Sequence, residues 1–442
     1  MKAITEASRA LSVLSKAPEN IVWTAGARAA SFLVPLLVAR RYGAGPKTDA
    51  FFLAFGAVTF FVAVGGVVLE QSIVPHAASL KGSGPHAVEW LWRLIRSVGL
   101  LGIGLAATSL LAIQIAVRLQ PRPELQALLT LGSSSGVALI PMFAVVGSLA
   151  AGVLTGLGRY QTVCMGLLVR ALVAVAVILV QPFRDPFPNL ALAFLGAETA
   201  RTLFNTLACR RFLLGEQGQV RYSSAELAPA PSMSRVWETT WPVSLSMTAA
   251  AISPIVDRVI AAGIMLGGVS LIEYGEKAYF LVVGTVVAGL QVTALIQWSA
   301  RQADAARMWE DLRGVVKVLC GIAILAAPAL FFIGPIVARG IMGSRLAATV
   351  PSAGVLTGFY LVAIVPYTIG GLAIRALMAR HRTRPLLVLG VVKLGANIVG
   401  DIAFASWIGI PGISLATVVA EALVAIGALY YARQELAPVP AR

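Results

Sequence analysis

The chain has 442 residues, 58% of them hydrophobic and only 12% charged, and carries a formal charge of +15. Soluble domains hold about 25% charged residues, so a soluble enzyme or nucleic-acid-binding module is excluded and a polytopic membrane protein is indicated. The basic excess then belongs to cytoplasmic loops and anionic headgroups rather than to nucleic acid.

Residues 1–19 are mixed and polar, without an apolar signal core. They read as an interfacial segment with Ile4, Leu11 and Leu14 on one side, and the first span is expected to direct insertion. A span needs about 20 apolar residues. Twelve such runs fall near 20–40, 49–78, 89–117, 126–156, 160–182, 188–210, 237–262, 269–299, 314–337, 350–378, 385–407 and 411–432. Their length predicts helices, since barrel strands are about 10 residues long and alternate in polarity.

The segment 211–236, "RFLLGEQGQVRYSSAELAPAPSMSRV", is polar and rich in turn formers. It reads as a cytoplasmic linker between an N-lobe (20–210) and a C-lobe (237–432), followed by a tail (433–442). The first span carries Pro35, then a Gly-rich turn and an apolar helix. The seventh carries Pro254, then "LGG" and an apolar helix. This echo predicts a duplication, with both copies in one orientation and a site between them near the bilayer midplane. The expected fold is therefore all-α, with two pseudo-symmetric six-helix lobes around a central cavity. Lys and Arg are concentrated in the segments that lie inside if the N-terminus is cytoplasmic, among them Lys2, Arg93, Arg96, Arg210, Arg211, Arg301, Arg380, Arg382 and Arg384. Both termini are thus expected in the cytoplasm.

An Arg or Asp at the centre of a span costs about 2.5–3.5 kcal/mol on insertion scales, so such residues face a partner or a wet cavity. Glu198 and Arg201 stand three apart on one helix and read as a local ion pair, while Arg170 reads as snorkelling or as neutralising a neighbour. Asp257 and Arg258 are adjacent and point different ways. Lys393, Asn397 and Asp401 form a stripe at i, i+4, i+8, suited to helix–helix bonding or to an ion; Glu421 reads as isolated. Arg28, Asp49, Arg258, Glu276 and Lys277 fall on corresponding helices of the two halves and are the candidates for binding an anionic head group, because Arg matches phosphate oxygens in a fork and Lys acts as a mobile charge. Asp49, Glu273, Lys393, Asn397 and Asp401 are the candidate ion or gating residues. In "GAGPKTDAFFLAF" (43–55), Asp49 reads both as a helix cap alongside Thr48 and as a gate. Cys164, Cys209 and Cys320, like His76, His86 and His381, lack metal or disulfide spacing. Nucleophile-elbow and phosphate-loop motifs are missing too, so neither an enzyme nor a resident cofactor is expected.

"RYGAGPKTDAFFLAF" (41–55) with "EQSIVPHAA" (70–78), and "DRVIAAGIMLGGVSLIEYGEKAYFLVVGTVVAGLQVTALIQWSAR" (257–301), resemble the MurJ/MviN-type lipid II flippases of the multidrug/oligosaccharidyl-lipid/polysaccharide exporter superfamily. "GRYQ" (158–161) is similar to a loop of that family. The resemblance implies a two-lobe bacterial inner-membrane transporter carrying a lipid-linked anionic saccharide from the cytoplasmic to the outer leaflet; a monomer is expected, and coupling to the membrane potential, or to a proton or sodium through Asp49 or Glu276, stays open. It also implies cavity roles for Arg28, Asp49 and Lys277, with Glu276 the acidic neighbour of Lys277. The family's second arginine of the first helix aligns near "SFLVPLL" and its basic pair of the second helix on "TFFVAVGG", both apolar here. The family's two terminal helices, which carry a lipid-tail groove, have no counterpart after the twelfth span. Lipid II and another polyprenyl-diphosphate-linked saccharide both stay open as substrate. A multidrug/cation antiporter and a non-transporting scaffold for envelope polysaccharide assembly are the rival readings.

Overall fold

The structure is a computed structural model that describes residues 18–67, 69–70, 73, 77, 84–120, 122–134, 136–215, 248, 251–299, 304–343, 352–380, 382 and 384–437. The amphipathic N-terminal segment, the linker beyond Gly215, the first part of the seventh span and the end of the tail lie outside the described residues.

All described regular structure is helical. In chain order the helices are α1 (Pro18–Tyr42), α2 (Pro46–Val62), α3 (Gly84–Leu119), α4 (Pro123–Ser134), α5 (Ile140–Gly156), α6 (Tyr160–Val180), α7 (Pro186–Gly215), α8 (251–264), α9 (Gly268–Val282), α10 (Ala288–Ser299), α11 (Ala305–Met342), α12 (Ser352–Ala379), α13 (Arg384–Ile408) and α14 (Pro411–Leu436). Nine helical stretches among the described residues are long and apolar enough to cross a membrane. The expected sixth span is the 30-residue α7, whose charges Glu198, Arg201, Arg210 and Arg211 lower its hydropathy. The eighth is α9 continued through α10, broken in polarity by Glu273, Glu276 and Lys277.

One expected boundary is corrected. The apolar run 126–156 is two helices: α4 ends at Ser134, Gly136 takes a left-handed φ of 77°, and a short 3-10 turn leads into α5. Residues with a Cβ rarely adopt that backbone, so the glycine permits a break that hydropathy alone does not mark.

The second helix of each half carries the same irregularity. α2 runs into a π-helical turn at Ala63–Val67, and α9 into one at Val283–Val287. Such turns concentrate at functional sites and allow a helix to bend. Both α2 and α9 follow a helix that carries a proline, Pro35 in α1 and Pro254 in α8.

The chain divides into two compact units, one of residues 29–255 and one of 1–28 with 256–442. In the 29–255 unit, Phe51 and Phe55 of α2 meet Phe187 and Phe194 of α7 at ring separations of 5.6 Å (Phe51–Phe187), 5.4 Å (Phe51–Phe194) and 4.5 Å (Phe55–Phe194). A core of Leu91, Leu94, Leu149, Val153 and Leu154 joins α3 to α5. In the 256–442 unit, α12 packs on α11 and α14, and α14 on α13. The motif Gly354-x-x-x-Gly358 on α12 faces Gly334 of α11; a Cβ at Gly334 would come within 2.5 Å of the Gly358 backbone. Small residues allow such backbone contact in a setting where burial from water adds little.

Turns of the 29–255 unit are tied by polar contacts. Lys47 pairs with Asp185 at 3.0 Å, and Arg41 donates to the Gln181 side chain at 2.9 Å. Arg159 of the "GRYQ" turn stacks 4.8 Å from the Phe212 ring. Burial pushes the Asp185 carboxyl up, but the Lys47 ammonium and the Phe187 amide outweigh it, and its pKa is lowered from 3.8. A lowered carboxyl stabilises the fold above its ordinary pKa and loses that contribution as pH falls through the folded value. Both side chains are partly exposed, so Lys47→Met should cost under about 1 kcal/mol. Thermal unfolding should show this small loss at pH 7, and the loss should shrink as pH falls below the ordinary aspartate range.

Candidate functional site

The charged residues of the spans are sorted by the fold into two buried networks, one in each unit. In the 29–255 unit, Glu198 is the hub. Arg170 Nε reaches its Oε1 at 2.7 Å and Arg201 Nη1 its Oε2 at 3.4 Å. The same Arg201 donates to Ser148 Oγ at 3.3 Å and stands 3.6 Å from Glu70. The expected Glu198–Arg201 pair is present, and Arg170 neutralises Glu198 in addition. Gly147 and Gly152 on α5 make room: a Cβ at Gly147 would meet Thr202 of α7, and one at Gly152 would meet Glu70. Asn205 Nδ2 and Thr202 Oγ1 donate to the Gly147 and Phe143 carbonyls. Glu70 and Arg201 thereby tie the end of the second span to α7.

Asp49 lies in the first turn of α2 and is fully buried. Its expected role as a cap is corrected. The N-cap is Gly45, Pro46 fills the first helical position, and Thr48 makes the reciprocal bonds, accepting from the Gly45 amide at 3.0 Å and donating to its carbonyl at 2.9 Å. Asp49 is one residue further in, its own amide donating to the Gly45 carbonyl.

The second network occupies the 256–442 unit. Arg258 of α8 donates to Glu273 Oε2 at 2.6 Å, and Lys277 reaches Glu273 Oε1 at 2.5 Å. The acidic partner of Lys277 is thus Glu273, one turn back on α9, rather than its neighbour Glu276, which is buried on the same helix. Lys277 keeps 29% of its side chain exposed and lies 5.7 Å from the Phe280 ring. Arg28 is exposed and packs on Gly284, where a Cβ would stand 3.6 Å from its guanidinium. Gly284 is seven residues, two turns, beyond Lys277, so Arg28 and Lys277 share one face of this helix, about 10 Å apart along it. The fold therefore brings together Arg28, Arg258, Glu273, Glu276 and Lys277, while Asp49 belongs to the other unit.

Asp257 turns away from Arg258, as their adjacency predicts. Asn397 Nδ2 donates to Asp257 Oδ1 at 2.7 Å and to Asp401 Oδ2 at 2.9 Å. Asp401 is fully buried, and its second oxygen, Oδ1, has no hydrogen-bond partner among the described residues. Two carboxyls on one amide, with the amide's own oxygen beside them, make a compact oxygen-donor set that suits a small hard cation or a proton. Glu421 is corrected from isolated to paired: Lys393 reaches its Oε1 at 2.5 Å across α13 and α14. Tyr279 packs 6.4 Å from Tyr360 and 5.8 Å from Tyr367, and the buried Tyr360 hydroxyl has no hydrogen-bond partner among the described residues. These tyrosines escaped the sequence reading because an aromatic in an apolar run carries no mark of a polar neighbour. Asp257 and Glu421 were visible as charges in spans, but their partners are over a hundred and nearly thirty residues away respectively.

Helices with buried ion networks, Gly-mediated packing and a polar interior face define a multi-pass membrane transporter rather than an enzyme. Comparison with solved structures agrees. A "Lipid II flippase MurJ, inward closed conformation" superposes with a TM-score of 0.76 at 16% identity, covering 96% of this chain and 88% of that one. An inward-facing "multidrug resistance MATE family transporter of the MOP superfamily" gives 0.67 at 15% identity, covering 98% of each chain. A MOP superfamily transporter from Pyrococcus furiosus gives 0.65 at 15% identity, covering 94% of this chain and 95% of that one. Among curated proteins compared by sequence, none matches the chain. The profile of the family described as "Lipid II flippase MurJ" matches residues 38–442. The chain belongs to the MurJ lipid II flippase family.

Proposed function

We propose that this chain moves a polyprenyl-diphosphate-linked saccharide, lipid II or an exopolysaccharide precursor, from the inner to the outer leaflet of the cytoplasmic membrane, with both termini in the cytoplasm. The observation that carries the reading is the shared face of Arg28 and Lys277 on the eighth helix. Both cations keep surface exposure while the nearby carboxylates Glu273 and Glu276 are buried, which places them to receive an anion. A diphosphate is the group that most needs them, because moving its charge through hydrocarbon unshielded is prohibitive. Glu273 holds Lys277 when no substrate is present, and substrate phosphate competes for the ammonium. Asp49, fully buried in the first turn of α2, is a gating carboxylate in the other unit. The π turns and the prolines of α1 and α8 supply bending points for alternating access. Coupling to a proton or a monovalent cation is assigned to Asp257, Asn397 and Asp401.

The test is export in cells depleted of their own flippase, read as lipid-linked saccharide reaching the outer leaflet. Lys277→Ala and Arg28→Ala together should lower export by about a hundredfold, in line with losing two charge-assisted phosphate contacts, at unchanged protein abundance. Asp49→Asn should lower it by about tenfold. Normal export by the double variant would overturn the cation role and favour a scaffold. Organic-cation efflux without saccharide export would favour the antiporter.

A further inference from the structure

Among the described residues of the 256–442 unit, five carboxylates are buried: Asp257, Glu273, Glu276, Asp401 and Glu421. Arg258 and Lys277 pair with Glu273, Lys393 pairs with Glu421, and Arg28 lies on the same helix face as Lys277. Among the described residues no ion pair reaches Asp257 or Asp401, which share the single amide of Asn397. Buried charge left uncompensated is strongly destabilising, so this part of the network takes up positive charge.

One source of that charge is built in. Lys393 and Asn397 are four residues apart and stack on one face of α13, about 6 Å along the helix axis. A lysine stem is long and flexible enough to carry its ammonium across one turn. In the present arrangement the ammonium is held the other way, by Glu421 of α14 at 2.5 Å. The charged and titratable groups around it from neighbouring helices are Glu421, Tyr367 and Asp257. We propose that Lys393 is a tethered counter-cation for the Asp257–Asn397–Asp401 site, exchanging between Glu421 and these carboxylates, so that the Lys393–Glu421 pair sets how tightly the site holds a free monovalent cation. The inference rests on the ion-coupling part of the function proposed above, and it makes Lys393 and Glu421 residues that determine affinity at a site they do not themselves form.

The experiment is sodium binding to the purified full-length protein, measured with radioactive sodium at constant ionic strength held by choline chloride. Lys393→Met with Glu421→Gln removes a cation and an anion together, so the net charge of the interior is unchanged. This double variant should bind sodium about tenfold more tightly than the wild type, since the competing ammonium is gone. Glu421→Gln alone releases Lys393 and should weaken sodium binding by about tenfold. Adding Asp401→Asn to the double variant should abolish binding and so locate it. Sodium binding by the double variant with no detectable binding by the wild type also supports the proposal. Equal affinities in wild type and double variant, with binding lost on Asp401→Asn, would overturn the tethered cation and leave the ion site standing. Absence of sodium binding in both would overturn the two together. If the double variant does not fold, Glu421→Gln decides alone, and an unchanged affinity there counts against the proposal.

Discussion

Glu273→Ala should destabilise the protein by about 3–5 kcal/mol, the range measured when one member of a buried ion pair is removed. The size follows from what Glu273 holds. Its two oxygens take Arg258 at 2.6 Å and Lys277 at 2.5 Å, and its side chain is 3% exposed. Alanine would leave the Arg258 guanidinium, itself almost wholly buried, without its principal carboxylate. Lys277→Met is the informative contrast. Lys277 keeps 29% of its side chain in contact with solvent, and its removal leaves Arg258 paired with Glu273, so it should cost under about 1 kcal/mol. The two substitutions therefore separate stability from transport: one destabilises the fold, the other leaves a stable protein with lowered export. Thermal unfolding of the purified variants, followed by loss of the monodisperse species, checks both. Equal losses in the two variants would show that Glu273 is not the residue that compensates Arg258.

The helical class and the position of most spans follow directly from runs of apolar residues, because a bilayer dictates length and hydropathy more strictly than water does. The i, i+3 spacing of Glu198 and Arg201 and the i, i+4 spacing of Asn397 and Asp401 likewise translate into contacts, since they depend only on helix geometry. What the sequence does not disclose is pairing between helices. Lys393 and Glu421 look unrelated until the turn at Gly409 folds α14 back onto α13, and Lys277 looks tied to Glu276 until helix periodicity is set against the position of Arg258. The break at Gly136 is hidden for another reason: hydropathy is continuous across it, and only the backbone angle changes. The π turns are similarly invisible, since "AVGGV" and "VGTVV" are unremarkable apolar pentapeptides. Asp49 shows the limit of local rules. A carboxylate after "GPKT" fits a helix start, but Thr48 makes the reciprocal bonds of the cap.

Gly412→Val should be the most damaging change outside the charged network, costing about 3 kcal/mol or more. Gly412 is the second residue of α14, just after the turn in which Gly409 adopts a φ of 69°. A Cβ at Gly412 would fall on the main-chain carbonyl of Phe404 and beside the amide of Ala405 on α13. Those are backbone atoms within a helix, so the clash has no flexible side chain to absorb it, and the two helices must separate. Separation at this point reaches the functional residues. The α13–α14 contact seats Lys393 against Glu421, and it sets where α13 presents Asn397 and Asp401 to Asp257. The variant should therefore unfold at lower temperature and also lose sodium binding in whatever fraction remains folded. Gly390→Ala is the control: it lies on the same α13 helix with open space where a Cβ would go, and it should be neutral or slightly stabilising because alanine restricts the unfolded chain. A Gly412→Val protein as stable as wild type would mean that α13 and α14 do not pack backbone to backbone at Phe404, and the ion site would then need another support.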